Sequence, residues 1–200
     1  MHSGQKVTLS LKPARAGTGI RFRRADLGGV EIPATVDNVD RLHYATGLAR
    51  DAGTVETVEH LLAALVSLGV DNVIVVLNQA EVPIMDGSAK TFVERIQAEG
   101  LIPQRQERRA LVITNPVWTH ERDKYAGFMP CPRPWFDVTI DFKSRIIGKQ
   151  NYSMPLTEAL FSSQIAAART FGFEDQLATL QSLGLARGGS LRNVILVAGD

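Results

Sequence analysis

The sequence predicts an α+β protein of two similar two-layer domains, each a β-sheet packed with helices, the second of them incomplete. Three observations predict it. Strand-like runs precede helix-like runs in both halves of the chain. A polar, Pro-containing stretch, "LIPQRQERR", separates the halves and places the domains at 1–103 and 108–200. The 200 residues are 44% hydrophobic and 22% charged, enough apolar matter for a core or two in a globular chain.

"KVTLSL" alternates and predicts a strand, and "GIRFRRAD" predicts its hairpin partner, with Gly17 and Gly19 in the turn. "GVEIPATVDNV" is a further extended piece. Val58, Leu61, Leu62, Leu65 and Leu68 recur at helical spacing, which predicts a helix from about Thr57 to Leu68 that stops at Gly69. "NVIVVLN" is a strand apolar on both faces. In "EVPIMDGSAKTFVERIQAEG", Asp86-Gly87 marks a turn and Ser88 a helix cap. The helix after it buries Phe92, Val93 and Ile96, and Gly100 ends it. The second half starts again with strands, "ALVITNPVWTHE", "KYAGFMPC", "WFDVTIDF" and "QNYSMPL". A helix then begins after Thr157, and Ala166 to Ala168 are its small residues. "EDQLATLQSLG" is a short amphipathic helix closed by Gly184, and "NVILVA" is a last apolar strand. The chain enters a strand almost at its start and stops just after one, so it is expected to be a piece of something longer.

Composition excludes several functions. Net charge is +1 with acids and bases interspersed, which argues against nucleic acid and anionic membrane surfaces as partners. "RQERR" is broken by Glu107 and predicts a solvated linker. The one cysteine, Cys131 in "PCPRP", cannot form an internal disulfide and fits a reducing compartment. No apolar run reaches the roughly 18 residues that span a bilayer, and no apolar signal segment opens the chain. A cytoplasmic monomer is expected.

Two neighbours carry the clearest chemistry. Glu59 and His60 stand at the mouth of an apolar helix whose other face, Ala63, Ala64 and Ser67, is small enough for close approach. Glu59 is a first-turn acid favoured by the helix dipole, and His60 a part-buried, hydrogen-bonded imidazole. The alternative makes His60 a metal ligand and Glu59 the base acting on metal-bound water. In "AARTFGF", Arg169, Thr170, Phe171 and Phe173 follow alanines, either as a surface that packs on a ligand ring or as core aromatics beside a surface charge. Gly188 and Gly189 in "ARGGS" suit a tight turn or a close backbone contact. "PIMDGSAK" is explained by its turn and cap alone.

Read in order, "LHYATGL", "TVETVEHLLAALVSLGVDNVIVVLN", "EVPIMDGSAKTFV", "VTIDF", "AAARTFGF" and "GLARGGS" resemble the UDP-3-O-acyl-N-acetylglucosamine deacetylases, zinc amidohydrolases of lipid A biosynthesis. The resemblance runs from His2 to the end of the chain. It implies two α+β domains facing each other across an active site. It implies His60 as a Zn2+ ligand, Glu59 as general base and Thr170 as oxyanion stabiliser. Lys124, Asp141, Phe142, Arg169, Phe171, Phe173, Gly188 and Gly189 would lie around a small-molecule UDP-sugar with an acyl chain. Residues 173–197 would line the acyl passage, with Leu177, Leu180, Leu183, Leu191 and Ile195 as its apolar wall. The family's other two zinc ligands, a His and an Asp four residues apart, and its leaving-group histidine have no match in this sequence. Ser144-Arg145 stands where the family more often has His-Pro. This chain alone is therefore expected to be inactive, and the alternative is a non-catalytic nucleotide-sugar or acyl-binding homologue that has lost the metal.

Overall fold

A computed structural model describes residues 1–199. They form two compact units, Met1–Ile102 with the residues from Glu158 on, and Pro103–Thr157. The architecture is α+β with open sheets.

The first unit opens with β1 (Leu9–Pro13), β2 (Ile20–Arg24), β3 (Val30–Pro33), β4 (Val39–Arg41), β5 (Gly47–Arg50) and β6 (Gly53–Val55). Helix α1 (Glu59–Ser67), β7 (Val73–Leu77) and α2 (Lys90–Glu99) follow. The main sheet has the order β1-β7-β2-β3, and β4-β5-β6 form a second sheet. β7 runs antiparallel to β1 and parallel to β2. The hairpin predicted between β1 and β2 is thus corrected, because β7 lies between them. "VIVVL" is apolar at every position and has no exposed residue, so it gains most in the middle of a sheet and would waste one edge outside it. Asn72 fixes the register at that end: its side-chain carbonyl accepts the Gly19 N–H at 2.9 Å, and the Val73 N–H donates to the Gly19 carbonyl at 3.1 Å.

Phe22, Ile32, Val75 and Leu77 of the sheet and Leu61, Ala64 and Leu65 of α1 are fully buried. Each large member contributes roughly 1.5–3 kcal/mol by leaving water. α1 stops where predicted. Gly69 takes a left-handed φ of 73°, and the Val70 N–H returns to the Leu65 carbonyl at 2.8 Å. In α2 the buried face is Phe92, Val93 and Ile96, and Gly100 closes the end. The Ser88 hydroxyl accepts the Lys90 N–H at 3.2 Å, so the expected cap acts one residue earlier than the last pre-helical position, Ala89.

The second unit is two hairpins, β8 (Val117–Glu121) with β9 (Lys124–Phe128), and β10 (Trp135–Asp141) with β11 (Lys149–Pro155). Every residue of β8, β9 and β10 is exposed. Past it, α3 (Glu158–Leu160) runs into one π-helical turn, Phe161–Ile165. The helix leaves its regular path before the alanines: the Ala166 N–H reaches back five residues to the Phe161 carbonyl, and the Ala168 N–H only three, to Ile165. β12 (Phe171–Phe173), α4 (Glu174–Ser182) and β13 (Ile195–Val197) complete the chain, with β12 and β13 paired in parallel. No helix among the described residues is long and apolar enough to cross a membrane.

Candidate active site

The entrance to α1 is held by backbone. The Glu56 N–H donates to the Ala80 carbonyl at 2.7 Å, and the Val82 N–H donates to the Glu56 carbonyl at 2.9 Å. Buried Thr57 then turns the chain with a φ of 58°, a left-handed conformation that costs a non-glycine residue roughly 1–3 kcal/mol unless its surroundings fix it. Thr46 grips the next two residues. Its carbonyl accepts the Val58 N–H at 3.3 Å, and its own N–H donates to Glu59 Oε2 at 3.1 Å. Glu59 and His60 are both half-buried in the first turn of α1, where a carboxylate is favoured by the helix dipole.

Behind this entrance sits Glu81, buried to 2% exposure. Its Oε1 accepts the Met1 ammonium at 2.6 Å, the His2 N–H at 2.7 Å and the Thr57 hydroxyl at 3.2 Å. Its Oε2 accepts the Ser3 N–H at 2.8 Å and the Ser3 hydroxyl at 2.5 Å. Burial pushes the Glu81 carboxyl up. The Met1 ammonium and the donors of Ser3 and His2 outweigh burial and bring it down to about 2.

The same segment continues into a second set of contacts. Asp86 Oδ1 accepts the Ser88 hydroxyl at 2.8 Å and the Ser88 N–H at 3.2 Å, which shapes the turn. The carbonyl of Asp86 accepts Arg169 Nε at 2.8 Å, and that of Gly87 accepts the Thr170 N–H at 2.8 Å. The Thr170 carbonyl in turn accepts the Ile195 N–H at 3.0 Å, so its backbone is fixed on both sides. Arg169 also donates to the Leu191 carbonyl at 3.0 Å, so its guanidinium braces two backbone segments. Phe171 and Phe173 stand edge to face, 5.8 Å between ring centres. The Gly188 N–H donates to the Met1 carbonyl at 2.8 Å, with Gly4 packed close enough to leave little room for a side chain. Gly189 closes a turn onto the Ala186 carbonyl at 3.0 Å.

Lys124, Asp141 and Phe142 belong to the hairpin unit and are exposed. Lys124 opens β9 opposite Glu121. Asp141 ends β10 opposite Lys149, and the Phe142 N–H donates to the Gly148 carbonyl at 3.1 Å. Of the predicted acyl wall, Leu177 and Leu180 are half-buried, while Leu183, Leu191 and Ile195 are exposed.

Sequence reasoning missed Glu81 and the carbonyls of Asp86 and Gly87. One signal for Glu81 was present: a lone acid between the apolar run of β7 and "VPIM" needs buried partners. A catalytic zinc takes three protein ligands. Among the described residues no three His, Cys, Asp or Glu side chains come together. The described residues do not by themselves fit a zinc site.

The family model for UDP-3-O-acyl N-acetylglycosamine deacetylase, LpxC, matches residues 1–200. The chain belongs to this family. Proteins named UDP-3-O-acyl-N-acetylglucosamine deacetylase are similar to this LpxC-family chain along nearly all of it. The one from Thermosynechococcus vestitus is 43% identical over 98% of this chain and 68% of its own length. That of Campylobacter fetus is 40% identical over 98% and 67%. That of Myxococcus xanthus is 44% identical over 98% and 63%. The chain thus spans about two thirds of the length of these relatives.

Proposed function

We propose that this chain carries the general-base part of a cytoplasmic, zinc-dependent deacetylase. Its reaction is hydrolysis of the acetamide of UDP-3-O-acyl-N-acetylglucosamine, giving acetate and the free amine in lipid A biosynthesis. The observation that supports it best is the Glu59–His60 pair at the α1 entrance, with one Glu59 oxygen anchored by the Thr46 N–H at 3.1 Å.

Anchoring through Oε2 leaves Oε1 of Glu59 to accept a proton from the attacking water. The new C–O bond forms as the carbonyl electron pair moves to oxygen, and the Thr170 hydroxyl donates to that oxyanion. The oxyanion pair then reforms the carbonyl as the C–N bond breaks, and the amine leaves with the proton that Glu59 took from the water. The backbone bonds that hold Thr170 between Gly87 and Ile195 support this role, because a donor fixed in advance needs no reorganisation. His60 is the ligand this chain would offer a zinc ion, which would supply Lewis-acid polarisation of the amide carbonyl and a more acidic water. Arg169, Phe171, Phe173, Gly188 and Gly189, with Lys124, Asp141 and Phe142 of the hairpin unit, are proposed for the UDP-sugar. The segment 173–197 is proposed for its acyl chain. With a single ligand, these 200 residues alone are expected to bind zinc weakly and not to turn over.

The test is acetate release from UDP-3-O-acyl-N-acetylglucosamine by a polypeptide extended to the relatives' length, beside the present chain. The extended protein is expected to turn over. Glu59→Gln is expected to lower its kcat by about 10²-fold or more with KM little changed, the scale of a lost general base. Undiminished turnover in Glu59→Gln would remove Glu59 from the reaction. A tight one-to-one zinc site in the present chain by calorimetry would overturn the ligand count.

A further inference from the structure

We infer that Glu81 is a positioning residue for the Glu59–His60 pair, setting the entrance of α1 through the Thr57 hydroxyl. The inference rests on the reading of that pair as the reacting one.

Glu81 is placed to do this. It lies beside the α1 entrance in a parallel bridge with Glu56, fixed by two backbone hydrogen bonds. Thr57, the next residue, is 3% exposed, left-handed in backbone, and donates its hydroxyl to Glu81 Oε1 at 3.2 Å. Val58 comes after it, bonded to the Thr46 carbonyl, and then Glu59, bonded to the Thr46 N–H. The direction in which the helix leaves the bridge is therefore set at Thr57. A buried hydroxyl without an acceptor is costly, so the Glu81 carboxylate holds Thr57 in a conformation it would otherwise leave.

The carboxylate is itself immobile, because residues 1–3 and the bridge to Glu56 hold it from two sides. The Ser3 hydroxyl donates to Oε2, and the His2 and Ser3 N–H groups divide between the two oxygens. A neutral amide at this position could not accept from all of these donors at once. Turn and cap chemistry accounts for Asp86 to Ser88 further along the segment, but leaves the buried acid five residues earlier without a task. Orienting the α1 entrance supplies one.

The test is amide hydrogen exchange on the isotope-labelled chain. The Thr46 N–H reports the bond to Glu59, and the Val58 N–H reports the bond to Thr46. In Thr57→Val and Glu81→Gln both amides are expected to exchange about tenfold faster, the scale of one lost buried hydrogen bond. The amides of the β2–β7 ladder should keep their protection, and Thr57→Ser, which retains the hydroxyl, should restore wild-type exchange. If Glu81→Gln does not fold, Thr57→Val reads the same bond alone. Wild-type exchange of Thr46 and Val58 in Thr57→Val overturns the inference. So does equal acceleration across the β2–β7 ladder, which would make the contact merely structural, or a failure of Thr57→Ser to restore protection. No substrate is used, so a failed deacetylation assay would count against the reading of Glu59 and leave this measurement standing.

Discussion

The sheet of residues 9–77 and the hairpins of residues 117–155 are made from similar strand sequences, yet they treat their apolar side chains differently. In the main sheet Phe22, Ile32, Val75 and Leu77 are fully buried. In the hairpins Trp118, Tyr125, Phe128, Trp135, Phe136 and Val138 are all exposed. The hairpins are held by their ladders and by local contacts. Trp118 leans on Tyr125 at 6.0 Å, Trp135 Nε1 donates to Ser153 at 2.8 Å, and Asn151 donates to Thr139 at 2.9 Å. Two-stranded ribbons of this kind are marginal in water without a layer against one face. Strand pattern alone thus builds a ladder, and stability arrives only when one face of it is buried.

Truncation at the two places should separate them most. Phe22→Ala is expected to cost about 3–5 kcal/mol, as for other fully buried aromatics, and Val138→Ala less than about 0.5 kcal/mol. Urea denaturation checks this, and the probes report separately. Both tryptophans, Trp118 and Trp135, lie in the hairpin unit, so their emission follows the hairpins, while amide signals of β2 and β7 follow the sheet. Equal costs for the two substitutions would abolish the contrast.

The parts of the molecule that were legible in the sequence are local ones. The α1 stripe, its stop at Gly69, and the buried face of α2 follow from 3.6-residue spacing and glycine, which need no knowledge of the rest of the chain. The four hairpin strands were legible from equally local signals, the Pro, Gly and charged residues that separate the runs. Strand order was not, because inserting β7 between β1 and β2 depends on pairing between segments some fifty residues apart, as the register of Ile20 with Val73 shows. At the candidate site, Glu59 and His60 are neighbours in sequence and stood out. Glu81 did not, because its donors come from residues 1, 2, 3 and 57. Asp86 and Gly87 were explained locally and completely, which hid that their carbonyls hold Arg169 and Thr170.

Acid should act on the first unit through Glu81. The folded-state carboxyl lies at about 2 against an ordinary value of 4.5. A depressed value means that the stabilisation is fully present above about pH 4.5 and is lost as pH falls toward 2. Roughly 2–3 kcal/mol should disappear across that window, by linkage of 1.36 kcal/mol per pKa unit with some loss to residual structure in the unfolded chain. Melting temperature measured from pH 6 to 2 checks it. Glu81→Gln should flatten the dependence in the sheet amides, and an unchanged slope would assign the acid sensitivity to other carboxylates.

The smallest expected difference sets two glycines against each other. Gly87 and Gly148 both have left-handed backbone, with φ of 86° and 57°. A Cβ on Gly148 meets nothing within 4 Å, whereas one on Gly87 would run into the carbonyl oxygen of Asn193. Gly148→Ala should therefore cost only the conformational term, about 1 kcal/mol. Gly87→Ala adds a backbone collision that cannot relax freely, because the Gly87 carbonyl is committed to the Thr170 N–H, and the total should reach about 2 kcal/mol. The location of the damage matters more than its size. In Gly87→Ala the amides of Thr170 and Ile195 should lose protection together, since one bond leads to the next, while in Gly148→Ala both should be untouched. Were the two variants to cost the same and leave Thr170 protected, the close approach of Gly87 to residue 193 would carry no strain, and the carbonyl of Gly87 would not be what holds Thr170.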